Sequence, residues 1–236
     1  MTAVLATAAA GPWLLGERLG GGGQATVHRA RHATLGRVAA VKVIHPSAWA
    51  DPAFRARFRR ECRALAALRH PNVVPVLDAG ESEDGGYLAM PLARGGSLAD
   101  RLRRGPLPAD EAVALLRALA AALDAVHAAG HLHRDVTPAN VLLDPAGPWL
   151  ADFGLARPLE ATAVTAEGLL VGTAGFMAPE VIAGGRAGPA ADRYALAALA
   201  FEALAGRPPF AGEGAGALLY AHARQAPPRA SAARPG

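Results

Sequence analysis

The stretch from His133 to Asn140 reads HRDVTPAN and sets a carboxylate, Asp135, five residues ahead of a carboxamide, Asn140. That spacing suits phosphoryl transfer. The Asp can accept or orient a hydroxyl proton, the Asn can hold a magnesium ion, and a second carboxylate is needed to complete the metal site. Asp152, the first residue of the DFG at 152–154, supplies it. These roles follow an established template for the chemistry. Either triplet alone arises by chance, so the inference rests on their order and spacing.

A phosphoryl-transfer site also needs a cation for the phosphates and a backbone cradle. The chain has 24 Lys and Arg residues but one lysine, Lys42. A lone lysine placed at random among those positions would reach a given site about one time in 24, so its place in RVAAVKVI is informative. Upstream, Gly20, Gly22 and Ala25 occupy the positions of a GxGxxG pattern, where missing side chains let backbone N–H groups approach phosphates. A dinucleotide-binding turn would run straight into a helix. Strand-like residues follow instead, which predicts a phosphate-covering hairpin, its tip stiffened by Ala25. Asp51 to Leu68 carries Phe54, Phe58, Cys62, Leu65 and Leu68 at helical spacing between prolines at 52 and 71. Glu61 lies beside that stripe, where its carboxylate can turn inward to pair with Lys42.

The elements that must position these groups divide the chain in two. Trp13 to Leu19, Val27 to Ala30 and Val38 to Ile44 read as strands of a twisted antiparallel sheet, with Val73 to Leu77 and Tyr87 to Met90 as its last two. Pro91 to Gly96 reads as a linker, in which Pro91 can offer a carbonyl and Ala93 an N–H to a bound base. Beyond it the pattern is helical: Pro108 to Ala129, then Ala190 to Ala205 closed by GRPPF at 206–210. Two short strands over 141–151 deliver the DFG. A long loop with Thr162, Thr165 and Thr173 separates it from the APE at 178–180.

Composition excludes other classes. With 236 residues, 52% hydrophobic and 19% charged, the chain buries a globular core, and its net charge of +4 is spread without a basic tract, so no nucleic-acid partner is expected. One cysteine, Cys62, excludes an intramolecular disulfide framework and reads as a small buried hydrophobe. His127, His131 and His133 straddle a helix end without a cysteine, so a zinc site is not expected. The first residues lack a basic n-region, and the alanine-rich runs near 112–129 and 195–205 are interrupted by charges too often to span a bilayer. A cytoplasmic protein is expected, with any membrane tether lying beyond Gly236.

The glycine loop, AAVK, Glu61, GGSL at 95–98, HRDVTPANVLL, DFG, GTAGFMAPE, DRYALAALAFEALAGRPPF and YAHARQAPP occur in one order. In this the chain resembles the bacterial Hanks-type Ser/Thr protein kinases over residues 13 to about 229. The resemblance implies an α+β, two-lobed fold: a small antiparallel-sheet lobe with one main helix at 1–90, a hinge at 91–96 and a larger, mainly helical lobe at 97–236. It implies ATP and Mg2+ (or Mn2+) as cofactors and proteins with Ser/Thr acceptors as substrates. Asp135 would be the catalytic base, Asn140 and Asp152 the metal ligands, and Lys42 with Glu61 the phosphate-orienting pair. Val27, Ala40 and Leu142 would sandwich the adenine beneath Leu19, with Met90 behind it. Thr173 would face the catalytic Asp. Arg134 would pair with a phosphothreonine at Thr165, or Thr162, with Glu167 as a permanent partial charge; a kinase dimer would serve autophosphorylation.

Three departures stand out. Thr137 replaces the family's lysine two residues after the catalytic Asp, while Phe176 and Ala197 replace a Tyr and a Gly as expected packing changes. Thr137 keeps a pseudokinase scaffold as an alternative; a small-molecule kinase is disfavoured because GTAGFMAPE resembles a polypeptide-docking platform. The resemblance also implies a catalytic domain that stops before the family's last helices. On that expectation Glu180 loses its usual arginine partner, a buried charge is left uncompensated, and apolar faces on 190–205 and 218–220 lose their cover.

Overall fold

The computed structural model describes residues 8–82, 85–153 and 171–233. The chain folds as two compact units, one from Met1–Arg69 with Val74–Ala93 and the other from His70–Val73 with Arg94–Gly236.

The first unit is an antiparallel sheet of β1 (Ala9–Ala10), β2 (Trp13–Gly21), β3 (Ala25–His32), β4 (Val38–Ile44), β5 (Asp78–Ser82) and β6 (Gly85–Met90), in the order β1-β2-β3-β4-β6-β5. A one-turn helix, α1 (Pro46–Trp49), and a long one, α2 (Pro52–Ala67), leave β4. Asp51 caps α2, its carboxylate accepting from the Ala53 N–H at 2.8 Å, while Pro52 enters at a position where no N–H is needed. The stripe of Phe54, Phe58, Cys62 and Leu65 is buried, and each large side chain so removed from water contributes about 1.5–3 kcal/mol.

One sheet face is a core of Trp13, Ala30, Ala39, Val41, Tyr87 and Ala89. Its two polar tips converge on one carboxylate: Trp13 Nε1 and Tyr87 Oη donate to Asp78 Oδ2 at 3.0 and 2.9 Å. The phenol lies in a slot that glycine alone permits. A Cβ at Gly11 or at Gly80 would come within 2.5 Å of the ring or its hydroxyl.

This slot explains where the sequence pattern misleads. Val73–Leu77 forms no strand; the partner of β6 is β5, which lies between the two runs expected to be strands. Gly80 weakens strand propensity but is required under Tyr87, whereas Pro75 has no N–H for a ladder. Val73 instead forms a parallel bridge with Leu150 in the second unit, and Leu77 donates to the Ala89 carbonyl at 2.9 Å. Strand β1 and helix α1 escape sequence reading because an alanine run carries no alternation and four residues carry no helical period.

In the second unit, α3 (Leu98–Leu102) opens with a capping box from Ser97 and Asp100, and α4 (Ala109–Ala128) packs against the later α7 (Pro189–Ala205). Between them lie the hairpin β7 (Val141–Asp144) and β8 (Gly147–Leu150), then α5 (Val171–Ala174) and α6 (Pro179–Ile182); α8 (Ala215–Arg224) and α9 (Ala230–Ala233) follow. Thr173 thus sits in a one-turn helix rather than in a loop.

Three expectations are corrected here. Glu180 is exposed, so no uncompensated buried charge arises. Leu218 is only 8% exposed, although Tyr220 is 65% exposed. Phe176 is buried, but Ala197 is exposed and, with Val113, Leu116, Ala120, Leu196 and Ala200, lines an open apolar groove of about 420 Å³ between α4 and α7.

The second unit is tied together by Asp192, 2% exposed in the first turn of α7. Its Oδ2 accepts from the backbone N–H of His133 at 2.9 Å and from His127 Nε2 at 2.8 Å, and its Oδ1 from the backbone N–H of Arg134 at 2.8 Å. One carboxylate therefore joins α4, α7 and the loop at 131–140.

Two predictions follow from burial. Replacing Asp192 with Ala leaves two backbone N–H groups without their acceptor, at about 1–3 kcal/mol each, and is expected to lower the urea midpoint accordingly; a midpoint within error of wild type would show that the carboxylate is not what holds the loop. In the first unit, burial, helped by the charges of Glu61 and Glu81, pushes the Cys62 thiol from 9.0 to about 12. Burial and the bond to Asp78 push the Tyr87 phenol from 10.0 to about 12. Both folded values lie above the unfolded ones, so the stability they contribute is complete below about pH 9 and is lost as pH rises toward about 12. Urea midpoints should fall across that window, less steeply in Cys62→Ala and Tyr87→Phe; parallel profiles for all three proteins would refute the assignment.

Candidate active site

The glycine hairpin joins β2 to β3. Gly21 has φ +153°, and a Cβ there would lie 2.8 Å from the Ala25 carbonyl oxygen, which accepts the Gly22 N–H at 2.9 Å. Gly21 is thus the residue the turn itself requires, and the sequence pattern did not single it out. At Gly20, Gly22 and Gly23 a Cβ would meet nothing within 4 Å, so their bareness leaves the backbone approachable from outside. Ala25, expected at the loop tip, is buried and paired with Ile44, where it fills the sheet instead.

Register places the first unit's candidate residues on the sheet face opposite the aromatic core. Val27 pairs with Lys42, Lys42 with Leu88, and Ala40 with Met90, and side chains two residues apart on a strand share a face. Val27, Ala40, Lys42 and Met90 therefore line one surface. Ala40 and Met90 are buried, while Leu19 on β2 is 45% exposed. The charges of Glu61 on α2 and Lys42 on β4 both reach the Cys62 thiol, Glu61 raising and Lys42 lowering its pKa. Pro91 and Ala93 follow directly on β6.

The second unit assembles the remaining groups. Asn140 Nδ2 donates at 2.8 Å to both the backbone carbonyl and the Oδ2 of Asp135, which fixes that carboxylate. Thr173 Oγ1 reaches Asp135 Oδ1 at 3.5 Å. Asn140 closes a 3-10 turn (Pro138–Asn140) just before β7, and the Ala151 N–H donates to the Asn140 carbonyl at 2.8 Å. Asn140 and Asp152 thus leave the same end of the β7–β8 hairpin, with Leu142 on β7. Thr137 is 7% exposed, a buried side chain where an extended ammonium was the expectation of the pattern.

Two residues of this loop region adopt left-handed backbone without being glycine, Arg134 at φ +65° and Asp152 at φ +62°. Such a conformation costs about 1–3 kcal/mol and persists only where the surroundings over-determine it. Asp192 holds the Arg134 N–H. His133, fully buried, donates from Nε2 to the Ala151 carbonyl at 2.9 Å and accepts the Asp135 N–H at Nδ1 across 3.3 Å. Burial lowers its pKa, keeping it in the neutral form that this donor and acceptor pattern needs. Its ring lies 4.6 Å from that of Phe153.

Asp192, His133 and His127 are the positioning residues that sequence reasoning missed. An acid two residues inside an alanine-rich apolar helix was the available signal, since such a charge is buried only when paired. Gly154, Thr162, Thr165 and Glu167 lie outside the described residues. Among the described residues, no helix is long and apolar enough to cross a membrane.

The protein kinase domain family matches residues 13–231. The serine/threonine-protein kinase PknE of Mycobacterium tuberculosis is 41% identical over 228 residues, covering 96% of this chain and 40% of that protein. PknA of the same organism is 40% identical over 225 residues, covering 92% and 52%. The crystal structure of the M. tuberculosis PknI kinase domain superposes with a TM-score of 0.74 at 33% identity, covering 99% of this chain and 86% of that one. The chain spans about half the length, or less, of these curated relatives. A sheet carrying a glycine hairpin and Lys42, a helical unit carrying the strained HRD loop, and these matches together place the chain in the protein kinase family.

Proposed function

We propose that this chain is the catalytic domain of an ATP- and Mg2+-dependent kinase that transfers the γ-phosphoryl group to Ser or Thr hydroxyls of proteins. The observation that carries the reading is the fixed Asp135 carboxylate: Asn140 Nδ2 donates to its Oδ2, and a hydroxyl, that of Thr173, already lies 3.5 Å from its Oδ1, so the acid is held where it can orient a hydroxyl proton. Asn140 Nδ2 donates to Asp135, so the side-chain Oδ1 is the atom Asn140 would offer a metal, and the Asp152 carboxylate would be the second hard-oxygen ligand. That donor set fits Mg2+ (or Mn2+), which keeps waters and takes phosphate oxygens for the rest of its shell. The bound ion supplies charge neutralisation at the phosphates.

The family resemblance assigns the other roles. Lys42, oriented by Glu61, holds the α- and β-phosphates under the backbone of Gly20 and Gly22. The resemblance gives Leu19, Val27, Ala40, Met90, Pro91 and Ala93 of the first unit, and Leu142 of the second, as the adenine-binding residues. Arg134 receives a phosphothreonine from Thr165, or from Thr162, placed there by a second copy of the kinase. Thr173 selects the acceptor hydroxyl.

The deciding measurement is phosphoryl transfer from labelled ATP with Mg2+, to the chain itself and to a protein acceptor. Lys42→Met, Asp135→Asn and Asp152→Asn should each lower turnover at least a hundredfold, the scale set by losing one transition-state partner worth about 3–4 kcal/mol; wild-type turnover in any of them would sink these roles. Phosphopeptide mapping is expected to find Thr165, and finding Thr162 alone would reassign the switch. The wild type should turn over with Thr137 in place; if it binds ATP but transfers nothing until Thr137→Lys is made, the chain is a pseudokinase.

A further inference from the structure

We infer that His45 is a positioning residue for the nucleotide phosphates, acting through the tip of the glycine hairpin. The inference rests on the nucleotide reading proposed above. His45 follows β4 and directly precedes Pro46, which holds it extended at φ −68°, ψ 143°. Its carbonyl accepts the N–H groups of Ala48 and Trp49 at 3.1 and 2.9 Å, and its own N–H donates to the Gln24 carbonyl at 2.8 Å. Trp49 is buried edge-on against Phe58, with centroids 5.5 Å apart. The backbone of His45 is therefore a fixed mount.

From that mount both ring nitrogens reach the hairpin. Nδ1 lies 3.2 Å from the Gly23 carbonyl oxygen and Nε2 lies 2.7 Å from Thr26 Oγ1. A carbonyl can only accept, so Nδ1 carries the proton; Nε2 then accepts the Thr26 hydroxyl in the neutral ring. The chain between these contacts includes the end of a run of four glycines, Gly20 to Gly23. Glycine loses more conformational freedom on ordering than any other residue. The imidazole ties down the hairpin where its own sequence orders it least, and does so on the Gly23 carbonyl, without using any N–H of the loop.

The test compares three variants. Asparagine places an amide N–H near the position of Nδ1, whereas glutamine reaches only the position of Nε2. In nucleotide-free protein, His45→Ala should speed hydrogen exchange about fivefold at the Gly22 amide, which donates to the Ala25 carbonyl across the tied turn, the size of one ordinary hydrogen bond. Mg·ADP titrated into the same protein should bind about fivefold more weakly, and KM for ATP should rise by that factor while kcat changes less than twofold. His45→Asn should restore exchange, affinity and KM; His45→Gln should not. The inference is overturned if exchange in His45→Ala equals wild type, if Asn rescues no better than Gln, or if kcat falls with KM unchanged. Should His45→Ala fail to fold, the Asn and Gln variants decide. A wild type that binds no Mg·ADP would instead overturn the nucleotide reading, while the exchange data would still decide the tie.

Discussion

Asp192 is the constraint from which the second unit is built. A carboxylate only 2% exposed costs several kcal/mol unless every lone pair facing the interior finds a donor. Here the donors are two successive backbone N–H groups and an imidazole. The successive N–H groups of His133 and Arg134 converge on the two oxygens of Asp192, and the positive φ of Arg134 turns the chain immediately after this anchored segment. The helix and the loop therefore need each other: the helix supplies an acceptor for the loop's N–H groups, and the loop supplies donors the acid cannot do without.

From that bend the remaining geometry propagates through short links. His133 spans from Asp192 to the Ala151 carbonyl, and Ala151 binds back to Asn140, so the loop and the end of the β7–β8 hairpin share one hydrogen-bonded frame. Asn140 then locks Asp135. No link in this sequence depends on a long flexible side chain, which is why one acid and one carboxamide can be placed to within the few tenths of an ångström that proton transfer and metal binding require.

Much of this was legible beforehand. Asp135, Asn140 and Asp152 announced themselves because the chemistry demands particular residue types at particular spacings, and α2, α4 and α7 because their apolar period is long. What escaped depends on contacts between distant residues. Gly80 reads as a turn until Tyr87 is known to lie over it; Ala25 reads as a loop residue until Ile44 is known to pair with it. Asp192 shows in sequence only as an acid inside an apolar helix and His45 carries no local pattern, since each is defined by what its side chain reaches.

The two units thus order their chemistry by different physics. In the second, strain and burial fix the carboxylates, and a small change in any link would move a reacting atom. In the first, the glycine hairpin must leave space for what it covers, and a side chain at Gly20, Gly22 or Gly23 would occupy that space although nothing in the protein forbids it. Such a loop cannot be stiffened by packing. Hydrogen bonds to its carbonyls are the remaining means, because they order the backbone without using its N–H groups, and a ring that donates at one nitrogen and accepts at the other provides one from outside the loop.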